Sequence, residues 1–419
     1  MSRPITKLMN RLVETPNRAH TAMSMRSAFR SMSLAAGCVV VTSLASATVG
    51  VPVGEELDYA DTPLAIRAKV VHVNGGSTLE NGVVVIQSGK ISAVGVGVEI
   101  PDGAVVIEHD GDLSAGMIAL RDAAGVGAET YDWTRKLLPE AEVAHAFDAS
   151  DPDFEALTSA GVTSVVLTPH QATLAGGVTC VVKTDGGRML RRRAHLSLSF
   201  SSSAISSNQY PTSYGSVVSE YEKCFADGKG SFAEAAAGRL SLYMEASARH
   251  EVSRAIQFAS KHKLKGVISG ATLVGDLAQE LAAAGLGVVL PSFRQGQDSR
   301  GLRGASALAK AGVAFGFALD SPGNNGDSLR MSAAACIREG LPASNAWNAL
   351  TADAAKLAGV DSAVGTIAKG MDADLVLWSG PPLDLRSRVE AVYVDGTRAY
   401  SAPEDEEDDD DDDDDEESN

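Results

Sequence analysis

The stretch Gly111–Gly125, GDLSAGMIALRDAAG, decides how this chain is read. It runs from a glycine-bounded turn into a short apolar strand, Met117–Leu120, and ends on a charged pair, Arg121-Asp122. What surrounds it sorts by hydrophobic period. Upstream, Leu64–Val106 alternates apolar and polar residues in short runs broken by glycine (AKVVHVNGG, NGVVVIQSGK, ISAVGVG, GAVVIEH). That period of two with turn residues at the breaks predicts a small antiparallel sheet. The distal segments GTIAKGMDADLVLWSG and VEAVYVDGTRAY have the same character.

Between these ends, strand and helix signals alternate, as in an α/β domain with a parallel sheet. Ala160-Gly161-Val162-Thr163 leads into SVVLTP, and Val178–Lys183 and Leu240–Met244 are further apolar strands. The amphipathic stretch Ala248–His262 precedes KGVIS, Asp276–Ala284 precedes GVVLP, and Leu302–Ala311 precedes VAFGFALD. Ser328–Glu339, Ala343–Leu350 and Ala352–Leu357 read as closing helices. No repeat at a solenoid period is present.

The composition is that of an ordinary α/β protein long enough for one large and one smaller domain. Fourteen acidic side chains in Glu404–Glu417 account for all but −4 of the formal charge of −18. The body is therefore near neutral, with no basic stripe to track a phosphate backbone, which argues against nucleic-acid binding. Fourteen adjacent like charges have nothing to bury, so 403–419 is expected to be a disordered tail. Cys38, Cys180, Cys224 and Cys336 lack the spacing of a zinc site or a redox pair, and buried free thiols are expected. At the other end, six basic residues precede the apolar run Met32–Leu44 and Ala45-Ser46-Ala47. This is the three-part pattern of an export signal over residues 1–47, cut after Ala47. Ala36-Gly37-Cys38 allows lipid attachment instead, and the Arg- and Ser-rich start also suits a mitochondrial presequence. The apolar run is too short to span a bilayer comfortably, so no transmembrane span is expected.

The Gly111–Gly125 stretch resembles the first barrel strand of the amidohydrolase superfamily. Asn81-Gly82, the Gly89-Lys90 turn and Gly370-Met371-Asp372-Ala373-Asp374-Leu375 resemble that family's framework. Tyr210-Pro211-Thr212-Ser213 and the helix after it resemble its imidazolonepropionase-like branch. From Leu64 to Tyr400 the resemblance implies a (β/α)8 TIM-type barrel over 113–364. It also implies a composite β-sandwich built from 64–112 and 365–400, and a hydrolase of non-peptide carbon–nitrogen bonds. Such enzymes activate water with one or two divalent metals such as zinc, held by histidines and carboxylates at strand ends.

At those positions the chain departs from the family. The first His-x-His pair falls on Arg121 and Ala123, and the second on Glu245 and Ser247. A further histidine position falls on Ser269. Asp320, in FALDSP, keeps the place of the family's aspartate, Lys183 is a candidate remnant of its bridging lysine, and His170 follows SVVLTP toward the barrel mouth. The other histidines do not converge, and His195 is read as part of a loop or edge segment. The resemblance leaves three functions open. One is a metal-free, catalytically silent subunit that binds or assembles, as a homo-oligomer or with an active homologue. Another is a hydrolase with a reduced site of Asp320, Glu245 and Lys183. The third is a small-molecule binder that kept the pocket alone. Without a cation, Arg121 is expected to ion-pair with Asp320 and Glu245. Arg191–Arg193 is read as a solvated basic loop, with the acidic tail as its alternative partner.

Overall fold

A computed structural model describes residues 62–126, 132, 134–170, 172–205, 209–292, 298–319 and 326–403, all within the unit Leu57–Asn419. The proposed signal segment 1–47 with Cys38, the acidic run from Glu404 onward, and Asp320 lie outside the described residues.

Segments from the two halves of the chain join side by side in one seven-stranded sheet. Its order is Thr397–Ser401, Val389–Val394, Leu375–Trp378, Val105–Ala115, Leu64–Asn74, Ser77–Gln87, Lys90–Gly95. The seam is the antiparallel pairing of Leu375–Trp378 with Val105–Ala115. The sheet is not wholly antiparallel, because Leu64–Asn74 runs parallel to Val105–Ala115. Alternation sorts the side chains as the sequence pattern requires: Leu64, Ile66, Val84 and Ile86 enter one core cluster, Ala65, Val83 and Val85 another.

Two further sheets carry the central region. One is six-stranded, in the order Phe315–Phe317, Gly287–Leu290, Gly266–Ser269, Ser241–Glu245, His195–Ser199, Ala175–Val178. Its first five strands are parallel, and Ala175–Val178 is antiparallel to its neighbour. The other is four-stranded: Met117–Asp122 runs parallel to Val162–Leu167, followed by the antiparallel strands Cys180–Lys183 and Met189–Arg191. A backbone bond from Leu319 N–H to Arg121 C=O, 2.7 Å, joins the outer end of the six-stranded sheet to the first strand of the four-stranded one. Val162–Leu167 and Gly287–Leu290 are buried throughout and Ser241–Glu245 nearly so, which is why they read as apolar runs rather than alternating ones.

Helices fill the connections between parallel strands. Arg249–His262 buries Val252, Ala255, Ile256 and Ala259, a stripe at helical spacing. Glu251 reaches back to accept the backbone N–H groups of Ser247 and Ala248, both at 2.9 Å, answering donors at the helix start. Ala278–Ala284, Ser299–Lys310, Asp327–Arg338, Ala343–Leu350 and Ala352–Ala358 follow, within a few residues of the sequence pattern. No helix among the described residues is long and apolar enough to cross a membrane.

Candidate functional site

Parallel strands bring their carboxyl ends to one rim, and register decides which side chains meet there. Glu245 pairs with Ser269 on the next strand and with Ser199 on the previous one. Arg121, near the end of Met117–Asp122, reaches this row. One of its terminal guanidinium nitrogens, Nη1, lies 3.2 Å from Glu245 Oε2 and 3.1 Å from Ser269 Oγ. The pair is well shielded, the side chains being 15% and 10% exposed for Arg121 and Glu245.

Beyond Ser269 the hydrogen bonds run in one direction. The Ser269 hydroxyl donates to the Tyr243 hydroxyl at 3.0 Å, and Tyr243 donates to the Leu120 carbonyl at 3.3 Å. The chain of donors returns to the residue preceding Arg121, and two neighbouring strands each supply an acceptor to the guanidinium. Tyr243 was absent from the expected site. Its signal is period two: it stands two residues before Glu245 on one strand, so the two share a face. Gly270 completes the local fit. At φ +87° it follows Ser269, and a Cβ there would collide with the Glu245 carboxylate.

The remaining expected residues divide. Ser247 and Ala123 are exposed at the rim. The Ser247 backbone bonds Glu251, while the Ala123 N–H donates to Asp122 Oδ1 at 2.6 Å. His170 is exposed in the loop after Val162–Leu167 and accepts the Ala172 N–H at 3.2 Å. Asp320 is outside the described residues; its neighbour Leu319 is the one bonded to the Arg121 carbonyl.

Lys183 is not at this rim. Cys180–Lys183 runs antiparallel to Val162–Leu167 and pairs Lys183 with Ser164, so the lysine emerges at the opposite, amino end. There its fully buried ammonium meets Asp372, Asp374 and Asp395 at 2.5–2.9 Å. Burial lowers its pKa, but the Asp374 carboxylate and the bonds to Asp395 and Asp372 outweigh that and hold it above the usual lysine range. Arg188 and Lys90 share two of the same aspartates, making a charge-balanced joint between the four-stranded and seven-stranded sheets. Asp374 Oδ2 is a buried atom with no hydrogen-bond partner there.

His195 is likewise corrected from a loop or edge residue. It is buried at the start of His195–Ser199, bonded to the Thr179 hydroxyl and to the Leu357 carbonyl, and burial pushes it down to about 4. Arg191–Arg193 is not a free basic loop. Arg191 bonds the Gly359 carbonyl, Arg192 pairs with Glu142, and Arg193 pairs with Glu142 and Glu234. Cys180 and Cys336 are buried free thiols that burial raises to about 12, and Cys224 is a half-buried one.

Among the described residues the donor set does not suit a divalent metal. Of Arg121, Ala123, Glu245, Ser247 and Ser269, only Glu245 offers a ligand of the usual kind, and a guanidinium already occupies it. Among the described residues no three His, Cys, Asp or Glu side chains come together as a metal group.

Comparison with known proteins adds sequence and fold. Residues 236–400 match the model of the amidohydrolase family. Amidohydrolase tasK of Hapsidospora irregularis is 31% identical over 87 residues, 21% of this chain. The chain covers only 9% of that protein's length. Among solved structures, an amidohydrolase from Thermotoga maritima superposes with a TM-score of 0.73 at 23% identity, over 81% of this chain and 100% of that one. N-isopropylammelide isopropylaminohydrolase from Burkholderia multivorans gives 0.54 at 15% identity, over 81% and 100%. Both are likenesses of fold.

Proposed function

The chain belongs to the amidohydrolase superfamily, a family of hydrolases, and from that premise we propose that its site has exchanged the metal for an arginine. In this reading the protein is a metal-free binding or assembly subunit on a hydrolase scaffold, alone or with an active homologue. In this reading the seven parallel strands of the six- and four-stranded sheets belong to a (β/α)8-type barrel, and the seven-stranded sheet belongs to the composite β-sandwich. The Leu319–Arg121 backbone bond between the two sheets supports closure.

The observation that carries the functional reading is the guanidinium of Arg121 set between Glu245 and Ser269. A metal in the family draws carboxylates and imidazoles together by its charge. Here a fixed cation of the chain itself holds the Glu245 carboxylate, so the row stays ordered with that charge compensated. A guanidinium stays protonated, so it neither ligates a metal nor generates a hydroxide from bound water. The rival with a reduced catalytic site loses Lys183, which stands at the other end of the strands.

The test is a panel of amide, lactam and amidine substrates assayed with added zinc or manganese and after chelation. The reading expects no metal-dependent turnover. Hydrolysis that a chelator abolishes and zinc restores would overturn it.

A further inference from the structure

Neither the groove at the amino ends of the parallel strands nor the acidic run Glu404–Glu417 takes part in the site above. The groove, about 750 Å³, is formed by the turns that feed Gly266–Ser269, Gly287–Leu290 and Phe315–Phe317. Its lining includes Lys263, Lys265 and Lys356 and no carboxylate. All three lysines are exposed, and none has an ion pair among the described residues. The other basic cluster, Arg191–Arg193, is already satisfied by Glu142, Glu234 and the Gly359 carbonyl.

A simpler role for these lysines is to answer helix ends. Arg249–His262, Ala278–Ala284 and Ser299–Lys310 all finish at this rim. Each carboxyl terminus carries about half a negative charge, so three of them offset roughly 1.5 of the three positive charges and leave the groove net positive. Asp353, one turn ahead of Lys356, is half-buried and does not line the groove.

The acidic run has the complementary charge and the reach. It begins directly after Pro403, and its fourteen residues span up to about 45 Å when extended. A domain of this size has a radius of gyration of about 20 Å, so the extended run reaches across a large part of its surface from Pro403.

We propose that the groove of Lys263, Lys265 and Lys356 is the docking surface for the acidic run Glu404–Glu417 of the same chain. Each exposed pair contributes little, but tethering raises the local concentration of the run to roughly millimolar, and several pairs act together. Salt releases the contact, and while it lasts the run covers this basic face against other polyanions.

The test couples carboxylates to amines in the full chain with a zero-length carbodiimide, using a mixture of 15N-labelled and unlabelled protein, and maps the links by mass spectrometry. At low salt, links from the run should fall on Lys263, Lys265 or Lys356 severalfold more often than on the exposed Lys69, Lys229 and Lys369. They should join peptides of one isotopic kind. They should vanish at about 1 M salt, where the screening length is about 3 Å. In a Lys263→Ala, Lys265→Ala, Lys356→Ala variant the preference should disappear. Links spread evenly over exposed lysines, or absent at low salt, would overturn the proposal, and links of mixed isotope would assign the groove to a second copy's run instead.

Discussion

Arg121→Ala removes the cation on which the site is built, and its cost follows from the surroundings. Glu245 would keep a carboxylate whose side chain is 10% exposed, without the guanidinium 3.2 Å away, and Ser269 would lose the donor at 3.1 Å. Breaking a buried pair by deleting one partner costs about 3–5 kcal/mol, and the slight exposure of both groups points to the lower end, about 3 kcal/mol. Unfolding entropy of about 2.1 cal/mol/K per residue, over the roughly 340 residues from 62 to 403, converts this to a drop of about 4 °C in Tm. Urea unfolding with unchanged m gives the free energy, and calorimetry gives the shift. Glu245→Gln keeps the shape and removes the charge, so the double variant Arg121→Ala, Glu245→Gln should recover at least about 1 kcal/mol of the loss. A single-variant cost below about 0.5 kcal/mol, or no recovery in the double, would refute the view that the pair organises the rim.

Two further outcomes are expected. Lys183→Met takes the cation from the nearly inaccessible Asp374, while Asp372 keeps Lys90 and Arg188 and Asp395 keeps Arg188, and should cost about 3–5 kcal/mol in urea unfolding. Folded Lys183 holds its proton above the ordinary lysine pKa. Its contribution is therefore complete below that pKa and fades as pH climbs through the raised value, a loss that Lys183→Met should lack. For His195, depressed from 6.5 to about 4, the unfolded chain binds the extra proton between these values, so stability is lost as pH is lowered through that window. At about 1.4 kcal/mol per unit the loss is about 3 kcal/mol, and His195→Gln should flatten stability measured from pH 6.5 to 4; an unchanged slope would exclude His195 as its source.

Much of this was legible in the sequence because strand ends are positions, and the residues at them can be compared one by one. Arg121, Glu245 and Ser269 were read as occupying ligand positions, and register does bring them into contact. The alternating ends of the chain also announced their shared sheet. What one-dimensional pattern cannot carry is strand direction. VTCVVK reads the same run parallel or antiparallel, yet reversal sends Lys183 to the opposite end, where it serves as a joint between sheets. His195 follows three arginines and so looked exposed. The strand begins at His195 itself, and burial follows from its bonds to Thr179 and Leu357. Tyr243 was passed over because an aromatic in an apolar strand reads as core, which it also is; its hydroxyl is what reaches the polar row.

Elemental analysis of the purified full chain, dialysed after growth with zinc, manganese and iron supplied, tests whether Arg121 stands in for a metal ion. A guanidinium against Glu245, the one carboxylate among the described residues of this row, predicts far less than one metal per chain, with no change in unfolding on chelation. About one tightly held metal per chain, lost together with stability on chelation, would contradict it.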